Sequence, residues 1–249
     1  MIYLKINFLF FIIKSLTYFK MFKLFLEKIL LFRQTFFKKI NKNFYSQFGE
    51  DKVLNELIPS NFTNGFYVDV GCFHPKKHSN TYMLFRRGWK GINIDMEKNK
   101  IASFNLARPN DYNFLGAISD KIEKVKIYRN QKFGVSSTIN KNFRKKEDII
   151  DDDNFQTTTL NIVLENSPFK RRKIDLLNID TEGNDLKVLK SLNFDIYSPS
   201  LITVETHHNK IDEILKSEIY LFLISHKYIL KSWNVYSLIF IKESYNEDN

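Results

Sequence analysis

Apolar and polar positions along residues 43–249 repeat with two different periods, which predicts strands alternating with helices. Short apolar runs predict five buried strands, at Phe66–Val70, Gly91–Asp95, Tyr112–Ile118, Ile174–Asp180 and Leu201–Glu205. Segments with helical spacing lie before and between them and near the end of the chain, at Gln47–Ile58, Ser79–Arg87, Glu97–Leu106, Asp185–Leu192 and Ile211–Ser225. This order predicts an α/β fold in which helices cover both faces of a parallel sheet.

The last two apolar segments break this alternation. Tyr228–Trp233 and Val235–Lys242 flank Asn234 and predict an antiparallel hairpin. Dinucleotide-binding domains of the doubly wound type continue as β-α-β to their end. The pattern therefore predicts a different sheet, seven-stranded and mostly parallel, with an antiparallel C-terminal hairpin.

Residues 119–172 have a weaker pattern. They predict a strand at Val125–Tyr128, a β-prone stretch at Gln156–Leu160 and a short helix beginning at Ile162. Between these elements, the polar and charged residues of Ser136–Asn154 predict a mobile loop or lid.

Residues 1–42 form a basic, aromatic-rich arm that precedes the domain of residues 43–249. The chain has a net charge of +10, and residues 1–40 hold eight basic side chains against one acid, Glu27. Residues 1–40 thus carry a net charge of seven out of the total of ten. The domain itself is only mildly basic, which argues against a nucleic-acid partner.

The arm has two interpretations. Its longest uncharged run, Ile6–Ile13, is shorter than the roughly 20 apolar residues of a spanning helix, and no cleavage site for a signal peptide follows it. The arm is either a helix at an anionic membrane surface or a helix packed on the domain or on a second subunit. Packing is favoured, because amphipathic helices more often cover cores.

Cysteine usage fits a reducing compartment. Cys72 is the only cysteine, which excludes an intramolecular disulfide framework and a cysteine-rich zinc site. We therefore expect a cytoplasmic protein. Peripheral attachment to the inner face of a membrane is the alternative that the arm would permit.

Four acids follow or close predicted strands: Asp69, Asp95, Asp180 and Glu205. An acid at the end of a buried strand is unfavourable unless it is paired or faces a ligand. Since open α/β sheets bind ligands beyond the carboxyl ends of their strands, this edge is the expected site.

The first two strands predict a nucleoside-containing ligand. Gly71 permits a tight turn and close backbone approach, and Asp69 can face a cationic amino-acid group. Asp95 lies 26 residues after Asp69, where a carboxylate can accept from both hydroxyls of a ribose. No G-x-G-x-x-G is present, which argues against a pyrophosphate cradle and against NAD.

The residues that follow the fourth and fifth predicted strands are the candidates for substrate binding and catalysis. Asp180 and Glu182, beside Gly183, could bind a substrate hydroxyl, act as a general base or hold a metal. His207 could take a proton near neutral pH, although a surface histidine is an equal alternative. Asp185 could instead have a structural role, because an acid in the first turn of a helix interacts favourably with the helix dipole.

Six short segments resemble the FkbM-type methyltransferases. They are Tyr45–Asp51, Gly65–Gly71, Ser79–Tyr82, Arg87–Asp95, Ala117–Asp120 and Ile179–Gly183. The combination is specific, although each segment alone is weak. The arm and the C-terminal hairpin carry no motif, but a hairpin of this kind is typical of methyltransferases that use S-adenosylmethionine (SAM).

The resemblance implies a class I SAM-methyltransferase Rossmann-like fold and O-methylation, often of sugars or polyketide-like hydroxyls. By position, the residues that it implies for SAM binding are Asp69, Gly71, Asp95, Ala117, Ile118, Ser119 and Asp120. Asp180 and Glu182 match the family's D-x-E-G signature at the acceptor mouth. One departure is Phe73–Pro75, where many methyltransferases have a second glycine.

We expect a SAM-dependent O-methyltransferase that acts on a sugar, glycan or related small molecule. The expected catalytic residues are Asp180, Glu182 and His207, with base assistance and no assigned metal ligand. A divalent ion on Asp180, Glu182 and Glu205 is the alternative. The rival from another class is a non-catalytic module that docks through its basic arm, and the four intact strand-end acids argue against it.

Overall fold

The computed structural model describes residues 18–30, 44–129, 137–145 and 149–246. The chain forms two compact units, Met1–Asn43 and Phe44–Asn249. In the first unit, residues 18–30 form helix α1. In the described part of the chain, no helix is long and apolar enough to cross a membrane.

The second unit contains seven α-helices and eleven strands among its described residues. The helices are α2 Glu50–Leu57, α3 Tyr82–Arg86, α4 Lys98–Ala107, α5 Leu160–Asn166, α6 Asp185–Lys190, α7 Ile211–Lys216 and α8 Glu218–Ser225. The strands are β1 Phe66–Val70, β2 Lys90–Asp95, β3 Tyr112–Leu115, β4 Ala117–Ile118, β5 Lys124–Arg129, β6 Ser137–Thr138, β7 Ile149–Thr158, β8 Leu176–Ile179, β9 Leu201–Glu205, β10 Tyr228–Asn234 and β11 Ser237–Lys242. Short 3-10 helices cover Lys141–Phe143 and Glu243–Asn246.

Seven strands form the main sheet, in the order β10-β11-β9-β8-β1-β2-β3. Strand β11 runs antiparallel to both of its neighbours, whereas the other pairings are parallel. This confirms the predicted α/β fold and its C-terminal hairpin. Strand β11 lies inside the sheet and is buried from Leu238 to Ile241, while the edge strand β10 alternates between exposed and half-buried residues after the buried Tyr228.

The strand order reverses at β1. Strands β2 and β3 follow on one side of it, and β8 and β9 lie on the other. Val70 pairs with both Ile94 and Ile179. Because all residues of β1 and β8 are buried, this register is fixed by the core, and it brings the ends of the three strands together at one edge.

A second, four-stranded sheet has the order β4-β7-β5-β6 and was not expected. The predicted strand Tyr112–Ile118 is wrong as a single element, since Gly116 separates β3 from β4 and the two belong to different sheets. The predicted loop Ser136–Asn154 is wrong near its start, where Ser137–Thr138 form β6, and at its end, where β7 begins at Ile149.

The predicted helix Ile211–Ser225 is divided into α7 and α8. Ser217 has an extended backbone, and its side chain accepts a hydrogen bond from the amide of Tyr220. A serine in this position begins a new helix because it satisfies an amide that lacks a partner in the first turn.

Candidate functional site

A cavity of about 240 Å³ opens at the carboxyl ends of β1, β2, β4 and β8. Six of the residues predicted from the sequence line it: Gly71, Asp95, Ala117, Ile118, Asp180 and Glu182. The wall also includes Phe73 and His78 of the first loop, and Lys100 and Ser137, which no sequence pattern indicated. The cavity lies where the strand order reverses, as expected for ligand sites of open α/β sheets.

Gly71 allows the backbones after β1 and β8 to meet at the cavity. Its φ of +83° lies in the left-handed region, and a Cβ atom there would lie 1.7 Å from the carbonyl oxygen of Asp180. Its amide donates to Ile94 O at 2.8 Å. No side chain fits this position, so the glycine that the sequence indicated is a steric requirement of the close approach between the backbones after β1 and β8.

Asp95 is a buried carboxylate at the end of β2. It accepts hydrogen bonds from the amide of Glu97 at 2.8 Å and from Lys100 Nζ at 3.1 Å. Burial raises the pKa of Asp95 to about 6, against the opposing effects of Lys100 and the Glu97 amide. The carboxylate is held in one orientation, and each oxygen retains a lone pair for a ligand.

Three other residues predicted to bind the cofactor are not in the wall of this cavity. Asp69 lies beneath it, where its two oxygens accept from Thr81 Oγ1 at 2.7 Å and Asn178 Nδ2 at 2.9 Å. Ser119 is buried and donates to Asp120, which is exposed. These three residues lie outside the wall of the cavity, and direct ligand contact by them stays a prediction.

Asp69 belongs to a buried polar network with Arg108 at its centre. The Arg108 guanidinium donates to Thr81 Oγ1 at 2.9 Å and to Ser79 Oγ at 3.1 Å. Burial raises the pKa of Asp69, and the hydrogen bond from Thr81 and the charge of Arg108 oppose that rise. The network supports the floor of the site because it ties β1 to the segment that precedes α3.

A second cavity, of about 470 Å³, lies beside the first. The two cavities share four lining residues: Gln47, His78, Asp180 and Glu182. Glu205 and His207 line the second cavity only. Two adjacent chambers with a common wall suit two ligands that must meet, and the predicted catalytic residues Asp180, Glu182 and His207 all lie in the second chamber.

Four carboxyl groups approach one another at this wall. Asp180 is accessible from the cavities, but protein surrounds it on its other sides, and burial followed by the charges of Glu205, Asp185 and Glu182 raises its pKa well above the usual range. Burial also raises the pKa of Glu205 to about 8, with Asp185 and Glu182 contributing. The cluster therefore favours taking up a proton or another cation.

Asp185 has the structural role that was considered for it. Its carboxylate accepts from the amide and hydroxyl of Thr181, at 2.8 and 2.9 Å, and from the amide of Gly183 at 3.1 Å. Asp185 therefore closes the turn that carries Glu182, in the first turn of α6.

Glu182 is held in an uncommon backbone conformation, with a φ of +53°. Thr138 Oγ1 donates to the carbonyl of Glu182 at 2.8 Å, and Asn140 Nδ2 donates to the carbonyl of Gly183 at 2.6 Å. Left-handed conformations of residues other than glycine persist only where the surroundings hold them, and they concentrate at functional sites. Here, the last residue of β6 and Asn140 hold the Glu182 turn.

His207 and Glu205 are neighbours in the second cavity. Nε2 of His207 lies 3.3 Å from Oε2 of Glu205, without hydrogen-bond geometry, and the Phe143 ring packs against the imidazole at 4.7 Å between ring centroids. Glu182, Glu205 and His207 each place one ligand atom within 4.8 Å of the other two. These three could hold a metal ion, a set that differs from the alternative named from the sequence by having His207 in place of Asp180.

The family model described as Methyltransferase FkbM domain matches residues 69–230. No curated protein matches the chain significantly. Among solved structures, a TehB-like SAM-dependent methyltransferase from Corynebacterium glutamicum is similar over 79% of this chain and 88% of that chain, with 11% identity and a TM-score of 0.42. That likeness is too distant to bear on the reaction.

Proposed function

This chain belongs to the methyltransferase FkbM family and uses S-adenosylmethionine, and we propose that it methylates a hydroxyl group of a sugar, glycan or related small molecule. The observation that supports this most is the wall between the two cavities, where Asp180 and Glu182 face both. Membership of this family also favours a methyltransferase over the alternative of a non-catalytic docking module.

The residues around the first cavity fit the cofactor. Asp95 offers a fixed, buried carboxylate to the two ribose hydroxyls. Gly71 keeps the space between the ends of β1 and β8 free of side-chain atoms. Ala117 and Ile118 provide apolar wall on the β4 side. When bound, SAM supplies an electrophilic methyl group on a sulfonium.

The second cavity would receive the acceptor. A hydroxyl that enters it meets the carboxylates of Asp180 and Glu182 at the common wall, and their hydrogen bonds would orient its oxygen toward the first cavity. A sugar hydroxyl is a weak nucleophile, so removal of its proton by one of these carboxylates, or by His207 beyond them, assists transfer. Burial raises the pKa of Asp180 and of Glu182, and a raised pKa makes a carboxylate a stronger base.

SAM affinity should fall at acidic pH because of Asp95. The pKa of Asp95 is raised to about 6, so the group becomes neutral below that pH, and a neutral carboxyl accepts more weakly from ribose hydroxyls. The Kd should therefore rise by up to about tenfold per unit as the pH falls below 6, and stay constant above about 7. Calorimetric titration with SAM between pH 5 and 8 measures this.

Asp95→Asn is the matched variant for that titration. It keeps the shape of the side chain beside Lys100 and Glu97 but cannot ionise. Its affinity for SAM should be weaker than that of the wild type at pH 8, and it should lack the further loss of affinity below pH 6. If the pH profiles of the variant and the wild type run in parallel, Asp95 does not carry the dependence.

Residues 1–40 should be dispensable for SAM binding, and any attachment to anionic membranes should depend on them. In α1, the four charged side chains, Lys20, Lys23, Glu27 and Lys28, cover an arc of roughly 140° on a helix of about 100° per residue. The other nine side chains are apolar or aromatic, and those of residues 18–30 are exposed. Such a helix suits the interface of an anionic bilayer.

Flotation with vesicles of phosphatidylglycerol, with phosphatidylcholine vesicles as the control, tests this for the full chain and for a chain lacking residues 1–40. The full chain should float only with the anionic vesicles, and the shortened chain with neither, while SAM titrations of the two agree. A shortened chain that unfolds would instead support packing of the arm on the domain or on a second subunit.

The acceptor class is tested by transfer of labelled methyl groups from SAM to a panel of nucleotide sugars, free glycans and lipid-linked sugars. The proposal expects label on a hydroxyl oxygen of at least one of them, identified by mass spectrometry. Label that appears only on nitrogen of an amine acceptor would contradict it.

A further inference from the structure

We propose that Glu182, Glu205 and His207 form a binding site for one divalent cation, of the Mn²⁺ type, in the wall of the second cavity. The three residues come from two adjacent turns at the carboxyl edge of the sheet. Glu182 follows β8, whereas Glu205 ends β9 and His207 lies two residues later. The ligand atoms of all three lie within 4.8 Å of one another.

The distances suit a metal ion with little rearrangement. Bonds of about 2.1 Å to a central ion place opposite ligand atoms roughly 4.2 Å apart. The observed spread of 4.8 Å therefore needs side-chain shifts of under one ångström. The turn that carries Glu182 is already held by Thr138, and the imidazole of His207 is packed against Phe143, so two of the ligands are largely preorganised.

Glu205 provides a separate indication that a cation is bound. Its side chain is 12% exposed, and its Oε2 atom is buried without a hydrogen-bond partner in the described part of the chain. A buried carboxylate oxygen without a partner is unfavourable. His207 Nε2 lies 3.3 Å from this oxygen without hydrogen-bond geometry, and an ion bound to both atoms would satisfy both.

The ligand chemistry identifies the class of ion. Two carboxylates and one imidazole combine the oxygen ligands preferred by Mg²⁺ and Mn²⁺ with the nitrogen ligand preferred by transition metals. Mn²⁺ accepts both kinds. Three protein ligands leave coordination positions open toward the cavity. If the proposed function holds, an acceptor oxygen can occupy one of them, and Asp180 remains outside the ligand set as a carboxylate that lines both cavities.

Electron paramagnetic resonance of Mn²⁺ titrated into the full chain tests the site without SAM or acceptor. We expect one Mn²⁺ bound per chain and a loss of affinity of at least tenfold in His207→Ala. His208→Ala is the matched control, since His208 lies beside Glu213 at 3.7 Å outside the cluster, and it should bind Mn²⁺ like the wild type. Glu205→Gln is the second variant and should also lose affinity.

Two results would overturn the proposal: no stoichiometric binding by the wild type, or equal affinity in His207→Ala and His208→Ala. His207 is partly exposed, so its replacement should not unfold the chain, and circular dichroism checks this. Failure of Mn²⁺ to bind would leave the proposed methyl transfer standing. Conversely, an acceptor other than a hydroxyl would leave this binding result unchanged.

Discussion

Gly71→Ala is expected to abolish SAM binding and to lower the free energy of unfolding by roughly 3 kcal/mol or more. The new methyl group would lie 1.7 Å from the carbonyl oxygen of Asp180, so the ends of β1 and β8 would have to separate. The left-handed backbone, with φ at +83°, adds strain of its own. Denaturant unfolding and SAM titration of the purified variant measure the two effects.

Gly88→Ala separates the clash from the backbone strain. Gly88 has a similar φ, +90°, but a Cβ there would meet its nearest atom, Thr63 O, at 3.4 Å, which is ordinary contact. It lies before β2, at the opposite end of that strand from Asp95. Its replacement should lower the free energy of unfolding by only about 1–2 kcal/mol and leave SAM affinity intact. Equal effects of the two substitutions would contradict the close approach at Gly71.

Glu182→Gln is expected to reduce turnover on the true acceptor by about 10²-fold or more. The amide keeps the size of the side chain but cannot take a proton or bind a cation as a carboxylate does. Since the cofactor already has Asp95 and the glycine turn, SAM affinity should change little. Steady-state rates measure the loss of turnover, and titration of the variant with SAM measures its affinity.

Glu213→Gln is the control for that substitution, because Glu213 is a carboxylate on α7 that lines neither cavity. Its rate should equal that of the wild type. Loss of SAM binding in step with turnover in Glu182→Gln would move Glu182 into the cofactor site. Chelation separates a base from an ion ligand: activity that is lost with a chelator and restored by Mn²⁺ supports the ion.

The main sheet could be predicted because its central strands are buried on both faces and read as continuous apolar runs. The points at which predicted elements are interrupted could not be predicted. Gly116 is a single glycine within an apolar stretch, and Ser217 is a single serine within a helical pattern, so neither interrupts the periodicity that predicts an element. Parts of β5 and β7 were predicted, but the second sheet was missed as a unit because β4 and β6 are only two residues long and the first half of β7 is polar.

The strand-end acids in the site could be predicted because parallel strands end at the same edge of a sheet. Their roles were harder to infer. Asp69 was expected to face a ligand, but its partner Asn178 lies 109 residues away in the sequence, and no local pattern shows that pairing. Phe143 and Ser137 were missed for a related reason, since their segment reaches the site through the hydrogen bonds of Thr138 and Asn140 to the Glu182 turn.

Calorimetric titration of SAM into the wild type, Asp95→Ala and Glu182→Gln tests most directly the claim that the first cavity holds the cofactor and the second the acceptor. The account predicts one SAM per wild-type chain. Asp95→Ala should lose about 2–3 kcal/mol of binding free energy, which is the contribution of a charge-assisted pair of hydrogen bonds, while Glu182→Gln keeps wild-type affinity. Undiminished affinity in Asp95→Ala, or loss of affinity in Glu182→Gln alone, would contradict it.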